Sequence, residues 1–186
     1  PALSRALARA FADDPVAVWA CPAAALRPRV LERFYEVRLH QLLREDEVWT
    51  EPGLAGAAMW TTPGRWRTSV RDDIEIVGCM LAPRLLPRLP LVFYGLVGVV
   101  ERQHPPEPEH WYLAILGTEP AAQGRGIGSA LLVPVLDRCD EDGVGAYLES
   151  SKESNIAFYA RHGFRVTSEL RLPRGPRVWQ MWRDPR

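Results

Sequence analysis

The C-terminal half of the chain alternates between extended and helical patterns of apolar residues. Apolar residues are nearly continuous over 111–118, which is typical of a buried strand, and they recur at helical spacing after Ser129. Gly163 follows a short helical pattern and suits the position just past a helix C-terminus. Arg174-Gly-Pro176 predicts a turn between two final antiparallel strands. The predicted order is strand, helix, strand, helix and strand pair, over 111–118, 129–140, 146–150, 155–162, 164–172 and 177–183.

The N-terminal half is more helical and is interrupted by prolines. Leu3, Leu7 and Phe11 are spaced four residues apart, which predicts a helix that Asp13-Asp-Pro15 ends. Pro52-Gly53 predicts a hairpin turn between two short strands. The predicted elements of this half are helices over 1–12 and 28–44, strands over 47–51 and 57–62, a broken helix over 72–103 and a loop over 104–108.

A glycine-rich turn, Gln123-Gly-Arg-Gly-Ile-Gly128, separates the strand at 111–118 from the helix after it. A helix N-terminus after such a turn favours an anion, because the first-turn N–H groups lack intrahelical partners and carry partial positive charge. The glycines at 124, 126 and 128 do not have the spacing of a dinucleotide fingerprint, and no lysine completes a nucleotide P-loop. The turn does fit a third glycine-rich pattern, Gln-x-x-Gly-x-Gly, with Gln123, Gly126 and Gly128 at the defined positions. A turn that only caps the helix is the alternative.

The residues downstream of this turn carry a resemblance to a known family. A second strand, then Asn155, a helix with Phe158-Tyr159, and Gly163-Phe164 follow in that order. Together with the glycine turn, this order resembles the GCN5-related N-acetyltransferase (GNAT) superfamily. The segments 58–63, 148–151 and 172–179 are similar to puromycin N-acetyltransferase-like members.

The resemblance implies one α/β (α+β) domain over 1–186. The implied fold is a mixed, mostly antiparallel twisted sheet with a splayed parallel strand pair, flanked by helices. Members of this superfamily have a further strand before the position of Pro1. We therefore expect the first strand to be missing from this sequence.

The resemblance also implies acetyl-CoA as co-substrate. The strand at 111–118 and the strand after the helix would run parallel and separate at their C-terminal ends, where the pantetheine arm enters. The implied contacts are Leu116, Gly117 and Thr118 along that strand, and Gln123, Gly124, Arg125, Gly126, Ile127, Gly128 and Ser129 around the pyrophosphate. Asn155 would contact the cofactor or cap the following helix.

Two residues are predicted to carry the chemistry. The resemblance implies that Tyr159 is a general acid, since a tyrosine with a pKa near 10 can protonate a leaving thiolate whose thiol has a pKa of about 8.5. Glu149 is the candidate base that removes a proton from the substrate amine, and a solvated or salt-bridged strand carboxylate is the alternative. The four histidines lack a partner pattern and are expected on the surface or in loops: His40, His104, His110 and His162.

The acceptor is implied to be a primary amine of a small molecule, with an aminonucleoside antibiotic such as puromycin as one candidate. Aromatic residues suit such a pocket. Trp60 and Tyr94 are preferred over Trp49, Trp66 and Trp111, because they lie in the region that varies with the acceptor. A protein or peptide N-acetyltransferase and a non-catalytic acyl-CoA-binding regulatory module are the alternative functions.

Composition narrows the class of partner. The net charge is zero, so the composition has no excess of basic residues that would indicate binding to nucleic acid or to an anionic membrane. Prolines and arginines interrupt the apolar stretch 81–100, so no membrane span is predicted. Cys21, Cys79 and Cys139 form no disulfide framework, and we expect a reducing cytoplasm. No residues have metal-ligand spacing. A monomer and a homodimer both remain open.

Overall fold

A six-stranded sheet lies at the centre of the protein. The computed structural model describes residues 1–45 and 47–186. The strands lie in the order β1-β2-β3-β4-β6-β5, and every neighbouring pair is antiparallel except β3 and β4. The strands are β1 Glu47–Thr50, β2 Gly56–Thr61, β3 His110–Thr118, β4 Gly145–Ser150, β5 Arg165–Arg171 and β6 Arg177–Arg183. The predicted mixed, mostly antiparallel sheet is confirmed.

The parallel pair separates along its length. Residues of β3 and β4 are paired from His110 and Gly145 to Leu113 and Leu148. Beyond that point, β3 continues to Thr118 paired only with β2, while β4 continues to Ser150 paired only with β6. Ala114 has no partner in the pairing of β3 with β2, and so forms a β-bulge. Because of this extra residue, the side chains after Ala114 point to the opposite faces of the sheet from those that simple alternation would give. The predicted splayed strand pair is therefore present, and it opens after Leu113 and Leu148.

Helices cover both faces of the sheet. They are α1 Ala2–Ala10, α2 Pro15–Ala20, α3 Arg27–Glu45, α4 Val70–Gly78, α5 Leu89–Phe93, α6 Ile127–Asp142 and α7 Ile156–Arg161. Side chains alternate between the two faces of a strand. Ala58 and Trp60 of β2 accordingly pack in the core with α6, whereas Ala57 and Met59 pack in a second core with α1 and α3.

The predicted broken helix over 72–103 is confirmed. It contains α4, a 3₁₀ turn at Leu86–Arg88, α5 and a π-helical segment at Tyr94–Glu101. The helix α2 was not predicted. Asp14 ends the first helical region and also begins α2, because its carboxylate accepts hydrogen bonds from the Val16 and Ala17 N–H groups at 2.9 and 3.1 Å. Among the described residues, no helix is long and apolar enough to cross a membrane.

Candidate active site

The glycine turn is held in a conformation that needs glycine for its backbone. Gly124 and Gly126 have φ angles of 75° and 82°, in the left-handed region that other residues rarely adopt. A Cβ atom built on either residue meets no other atom within 4 Å. The two glycines are thus required by the turn and leave open space in front of it.

This turn presents the start of α6 to solvent. The Gln123 side chain ties it to β3 by donating from Nε2 to the Thr118 carbonyl at 3.1 Å. The first α6 hydrogen bond runs from the Ala130 N–H to the Gly126 carbonyl, so the first-turn amides before it point outward. Arg125 is exposed beside them. Free amides, a helix dipole and a guanidinium together suit a pyrophosphate.

The segment of β3 that leads into the turn carries the other predicted cofactor contacts. Leu116, Gly117 and Thr118 lie beyond the last residue that pairs with β4. A Cβ on Gly117 would lie 2.7 Å from the Phe11 ring and 2.8 Å from Leu7. The close backbone approach that a strand glycine predicts is therefore made by α1.

The first turn of α6 contacts α7 and the residue that follows it. Ser129 Oγ lies 3.0 Å from His162 Nε2. A Cβ on Gly128 would lie 3.3 Å from the Phe158 ring, so the first turn of α6 packs closely on α7. Asn155 precedes α7 and is half-buried, but its side chain makes no capping hydrogen bond. Of its two predicted roles, capping is not observed.

Tyr159 lies on the buried side of α7. Its ring makes edge contacts with Phe158 and Phe164, at centroid distances of 5.2 and 6.0 Å. Burial, together with the Asp14 carboxylate nearby, raises the pKa of Tyr159. Asp14 in turn accepts a hydrogen bond from Ser151, which directly follows β4. The phenol therefore stays protonated near neutral pH, and the raised pKa also makes it a weaker acid than an ordinary tyrosine.

A cavity of about 660 Å³ lies on the α1–α3 face of the sheet. Its wall is mostly apolar and comes from α2, α3, α4, α5, the π-helical segment and the sheet. Four carboxylates stand among the described lining residues: Asp14, Asp73, Glu101 and Glu149. The cavity reaches the sheet at Ala114 and Ile115 of β3 and at Glu149 of β4, where the two strands separate.

Glu149 lies in a cluster of histidine and tyrosine side chains. Its Oε1 atom is buried, has no hydrogen-bond partner among the described residues, and lies 3.5 Å from His104 Nδ1. His104 Nε2 lies 3.0 Å from His110 Nε2, and His110 Nδ1 lies 2.7 Å from the Pro108 carbonyl oxygen. The His104 ring also stacks on Trp66 at 3.9 Å between centroids.

Two tyrosines flank the same carboxylate. Burial and the nearby Glu149 carboxylate raise the pKa of Tyr112 and of Tyr147, so both phenols stay protonated. Tyr147 Oη accepts a hydrogen bond of 2.6 Å from Gln180 Nε2, which also donates to the Gln103 carbonyl. Glu149 is therefore a largely buried carboxylate in a polar cluster rather than a solvated one, and of the predicted alternatives a salt-bridged carboxylate matches its contact with His104.

The histidine expectation is wrong for His110, which is buried on β3, whereas His104 lies in a loop as expected but is buried there. His104 and His110 are 5% and 2% exposed, because the loop after the π-helical segment folds back over the end of β4. His40 is exposed as predicted, and His162 is half-buried. Alternation along two strands could have indicated this cluster: His110 and Tyr112 share one face of β3, and Tyr147 and Glu149 share one face of β4.

The two aromatic residues preferred for substrate contact do not line the cavity. Trp60 is fully buried in the core between the sheet and α6, on the opposite face. Tyr94 is 58% exposed on the outside of the π-helical segment. Trp66, which was the weaker candidate, lines the cavity beside His104.

No group of three or more potential metal ligands occurs in the part of the chain that the structure describes. The three cysteines are buried and free. Burial raises the pKa of Cys21 and Cys79, which both line the cavity, so these thiols are held in the poorly nucleophilic protonated form.

Comparison with known proteins agrees with this geometry. An uncharacterized N-acetyltransferase of Schizosaccharomyces pombe is 26% identical over 179 residues, which cover 90% of this chain and 71% of that protein. A crystal structure of histone acetyltransferase HPA2 and related acetyltransferase from Corynebacterium glutamicum is 25% identical, with a TM-score of 0.69 over 99% of this chain and 90% of that one. Arylalkylamine N-acetyltransferase 2 from Aedes aegypti is 12% identical and shares the fold, with a TM-score of 0.58 over 100% and 94% of the two chains.

The family model of the acetyltransferase (GNAT) family matches residues 31–164. That range contains the splayed strands, the glycine turn, Glu149 and Tyr159. The protein therefore belongs to the acetyltransferase (GNAT) family and is an acetyl-CoA-dependent N-acetyltransferase.

Proposed function

We propose that the protein acetylates a primary amine of a small, largely apolar molecule. The observation that carries this proposal is the cavity of about 660 Å³, whose wall includes Glu149 beside the opening between β3 and β4. Apolar walls with a few placed polar groups are typical of small-molecule sites. A carboxylate in this wall suits an ammonium group, because it compensates the charge that the apolar wall would otherwise desolvate.

The donor is proposed to lie on the other side of that opening. The first-turn amides of α6 and Arg125 would hold the pyrophosphate of acetyl-CoA, with Gly124 and Gly126 shaping the turn. The backbone of 116–118 and the Asn155 side chain would contact the pantetheine arm. Bound there, the cofactor supplies an activated acetyl thioester to the opening between the strands.

The proposed roles of the two candidate catalytic residues follow from their surroundings. Glu149 takes a proton from the substrate ammonium, which leaves the neutral amine free to attack. Tyr159, which burial keeps protonated, donates a proton to the sulfur that leaves. The attack is direct, without an acetylated enzyme, because the cavity thiols of Cys21 and Cys79 are held protonated.

A second candidate function is acetylation of an amine on a protein or peptide. The relative from Corynebacterium glutamicum carries the name of a histone acetyltransferase, and it covers nearly the whole chain. A peptide would need a groove for its extended backbone on both sides of the reacting amine. The four carboxylates of this cavity stand among apolar side chains, which favours a compact acceptor.

The test is coenzyme A release from acetyl-CoA in the presence of a panel of amines. The panel contains arylalkylamines, puromycin, short aliphatic amines, polyamines and peptides with a free N-terminus or lysine. We expect the highest kcat/KM for an amine with an apolar or aromatic body, and at least a hundredfold loss in Glu149→Gln. A preference for peptides would establish the second candidate, and binding of acetyl-CoA without turnover of any amine would indicate a non-catalytic acyl-CoA-binding module.

We also propose a cytoplasmic location, since three free cysteines suit a reducing compartment. Size-exclusion chromatography with light scattering would distinguish a monomer from a homodimer, the two states that the sequence leaves open. The proposal needs no nucleic acid, membrane or metal partner, and activity should therefore be unchanged by nuclease treatment and by a chelator.

A further inference from the structure

The hydrogen bonds around His110 determine which of its ring nitrogens carries a proton. A carbonyl oxygen can only accept, so His110 Nδ1, which lies 2.7 Å from the Pro108 oxygen, must be the donor. Burial lowers the pKa of His110, which keeps the ring neutral near neutral pH. A neutral imidazole carries one proton, and its Nε2 therefore holds a lone pair.

That assignment determines the proton positions on His104. Its Nε2 lies 3.0 Å from the His110 Nε2 lone pair, so His104 must donate from Nε2. If His104 is neutral, its Nδ1 then holds a lone pair that faces Glu149 Oε1 at 3.5 Å. Neither atom can donate to the other, and Oε1 has no hydrogen-bond partner among the described residues. The two atoms therefore share a vacant position for one proton.

We infer that Glu149 and His104 act together as the base, and that they hold one proton between Oε1 and Nδ1 once it leaves the substrate. This inference rests on the proposed function and deepens it. His104 is a positioning residue that acts through Glu149. His110 and the Pro108 carbonyl set the tautomer that turns the His104 lone pair toward the carboxylate.

The proton balance is complete. The substrate ammonium gives one proton to the Glu149–His104 pair, and the neutral amine forms the new C–N bond as the C–S bond breaks. The nitrogen loses a second proton on becoming an amide, and that proton restores the Tyr159 phenol, which gave its own proton to sulfur. One proton per turnover then leaves the pair to solvent.

The groups that face the pair favour uptake of a single proton. Tyr112 and Tyr147 stay protonated and neutral next to the carboxylate. Glu101, whose pKa is raised by burial and by Asp73, adds negative charge near His104. Arg38 of α3 also lines the cavity.

The first arm of the test is ¹⁵N NMR of the histidine rings of the intact protein, which reports tautomers without any substrate. Near neutral pH we expect His110 to carry its proton on Nδ1 and His104 to carry its proton on Nε2. A proton on His110 Nε2 near neutral pH would overturn the assignment.

The second arm measures kcat against pH for the best amine of the panel. In His104→Gln, the amide can donate to Glu149 and weaken it as a base. We therefore expect the acid limb to move at least one unit lower and kcat at its plateau to fall at least tenfold. His40→Gln changes an exposed histidine of α3 and serves as the matched control, with an unchanged profile.

The outcomes separate this inference from the proposed function. If wild type turns over an amine and His104→Gln retains the same acid limb and plateau, Glu149 acts alone and the inference is wrong. If no amine is turned over while the NMR tautomers are as expected, the proposed function fails and the proton arrangement stands. Should His104→Gln fail to fold, the tautomers of the wild-type protein still decide the inference.

Discussion

Replacing Gly126 by alanine should weaken acetyl-CoA binding by at least as much free energy as it takes from the fold. Gly126 has a φ of 82°, and a non-glycine residue in this region costs about 1–2 kcal/mol. An added Cβ meets nothing within 4 Å, so no steric term is added. For a chain of this length, about 1 kcal/mol corresponds to a Tm shift of about 2–4 °C. We therefore expect Gly126→Ala to melt about 2–8 °C below wild type.

The effect on binding has a different origin. Relief of the strain would rotate the peptide planes that lead into α6, and the first-turn amides would no longer point at one pyrophosphate. A hydrogen bond to a charged group contributes about 1.5–3 kcal/mol, so the loss of one raises Kd at least tenfold. Titration calorimetry with acetyl-CoA measures this change directly.

Gly143 provides the matched control at the opposite end of the same helix. It has a φ of 66°, and a Cβ there also meets nothing within 4 Å. Gly143→Ala should thus lose similar stability and bind acetyl-CoA with the wild-type Kd. Equal Kd values for Gly126→Ala and wild type would refute the assignment of the turn as the pyrophosphate site.

Three further predictions concern catalysis, stability and acceptor size. Tyr159→Phe should lower kcat at least tenfold with an unchanged acetyl-CoA Kd, and a retained kcat would remove Tyr159 from the mechanism. Asp140→Asn should lower the free energy of unfolding by about 2 kcal/mol, because it weakens the paired hydrogen bonds from Arg183, which is 3% exposed. The hydrogen bond from Arg183 lowers the pKa of Asp140. The stabilisation is therefore present above the unfolded pKa of about 3.9 and is lost as the pH falls through the folded value. Urea unfolding between about pH 3 and 7 measures this loss, which Asp140→Asn should not show. Ala17→Trp places an indole in the cavity wall and should raise KM for bulky amines at least tenfold without changing acetyl-CoA binding, as steady-state kinetics would show.

The elements of the fold could be predicted because each has a local cause. The nearly continuous apolar run of β3, the glycines at both ends of α6 and the prolines of the broken helix act over a few residues. Helix α2 was missed because the same residue, Asp14, both ends one helical region and caps the next. Its role could be recognised only from the hydrogen bonds that its carboxylate accepts.

The face on which a strand residue lies could not be predicted with the same success. Met59 and Trp60 are adjacent apolar residues of β2, and alternation places them on opposite faces without indicating which face holds the cavity. Trp60, which is predicted to contact substrate, lies on the face opposite the cavity. The bulge at Ala114 adds to the difficulty, because it moves Ile115 to the cavity face against the alternation of the preceding residues.

The two sheet faces divide the proposed reaction between them. The glycine turn and Tyr159 belong to α6 and α7, which pack against one face, whereas the cavity lies among α2, α3, α4 and α5 on the other. The opening after Leu113 and Leu148 lies between the two sides, and Glu149 is the first β4 residue beyond it. An acetyl donor bound on one face and an amine bound on the other would therefore meet next to Glu149. This placement explains why the donor side follows a sequence motif, while the acceptor side depends on tertiary contacts such as that between His104 and Glu149.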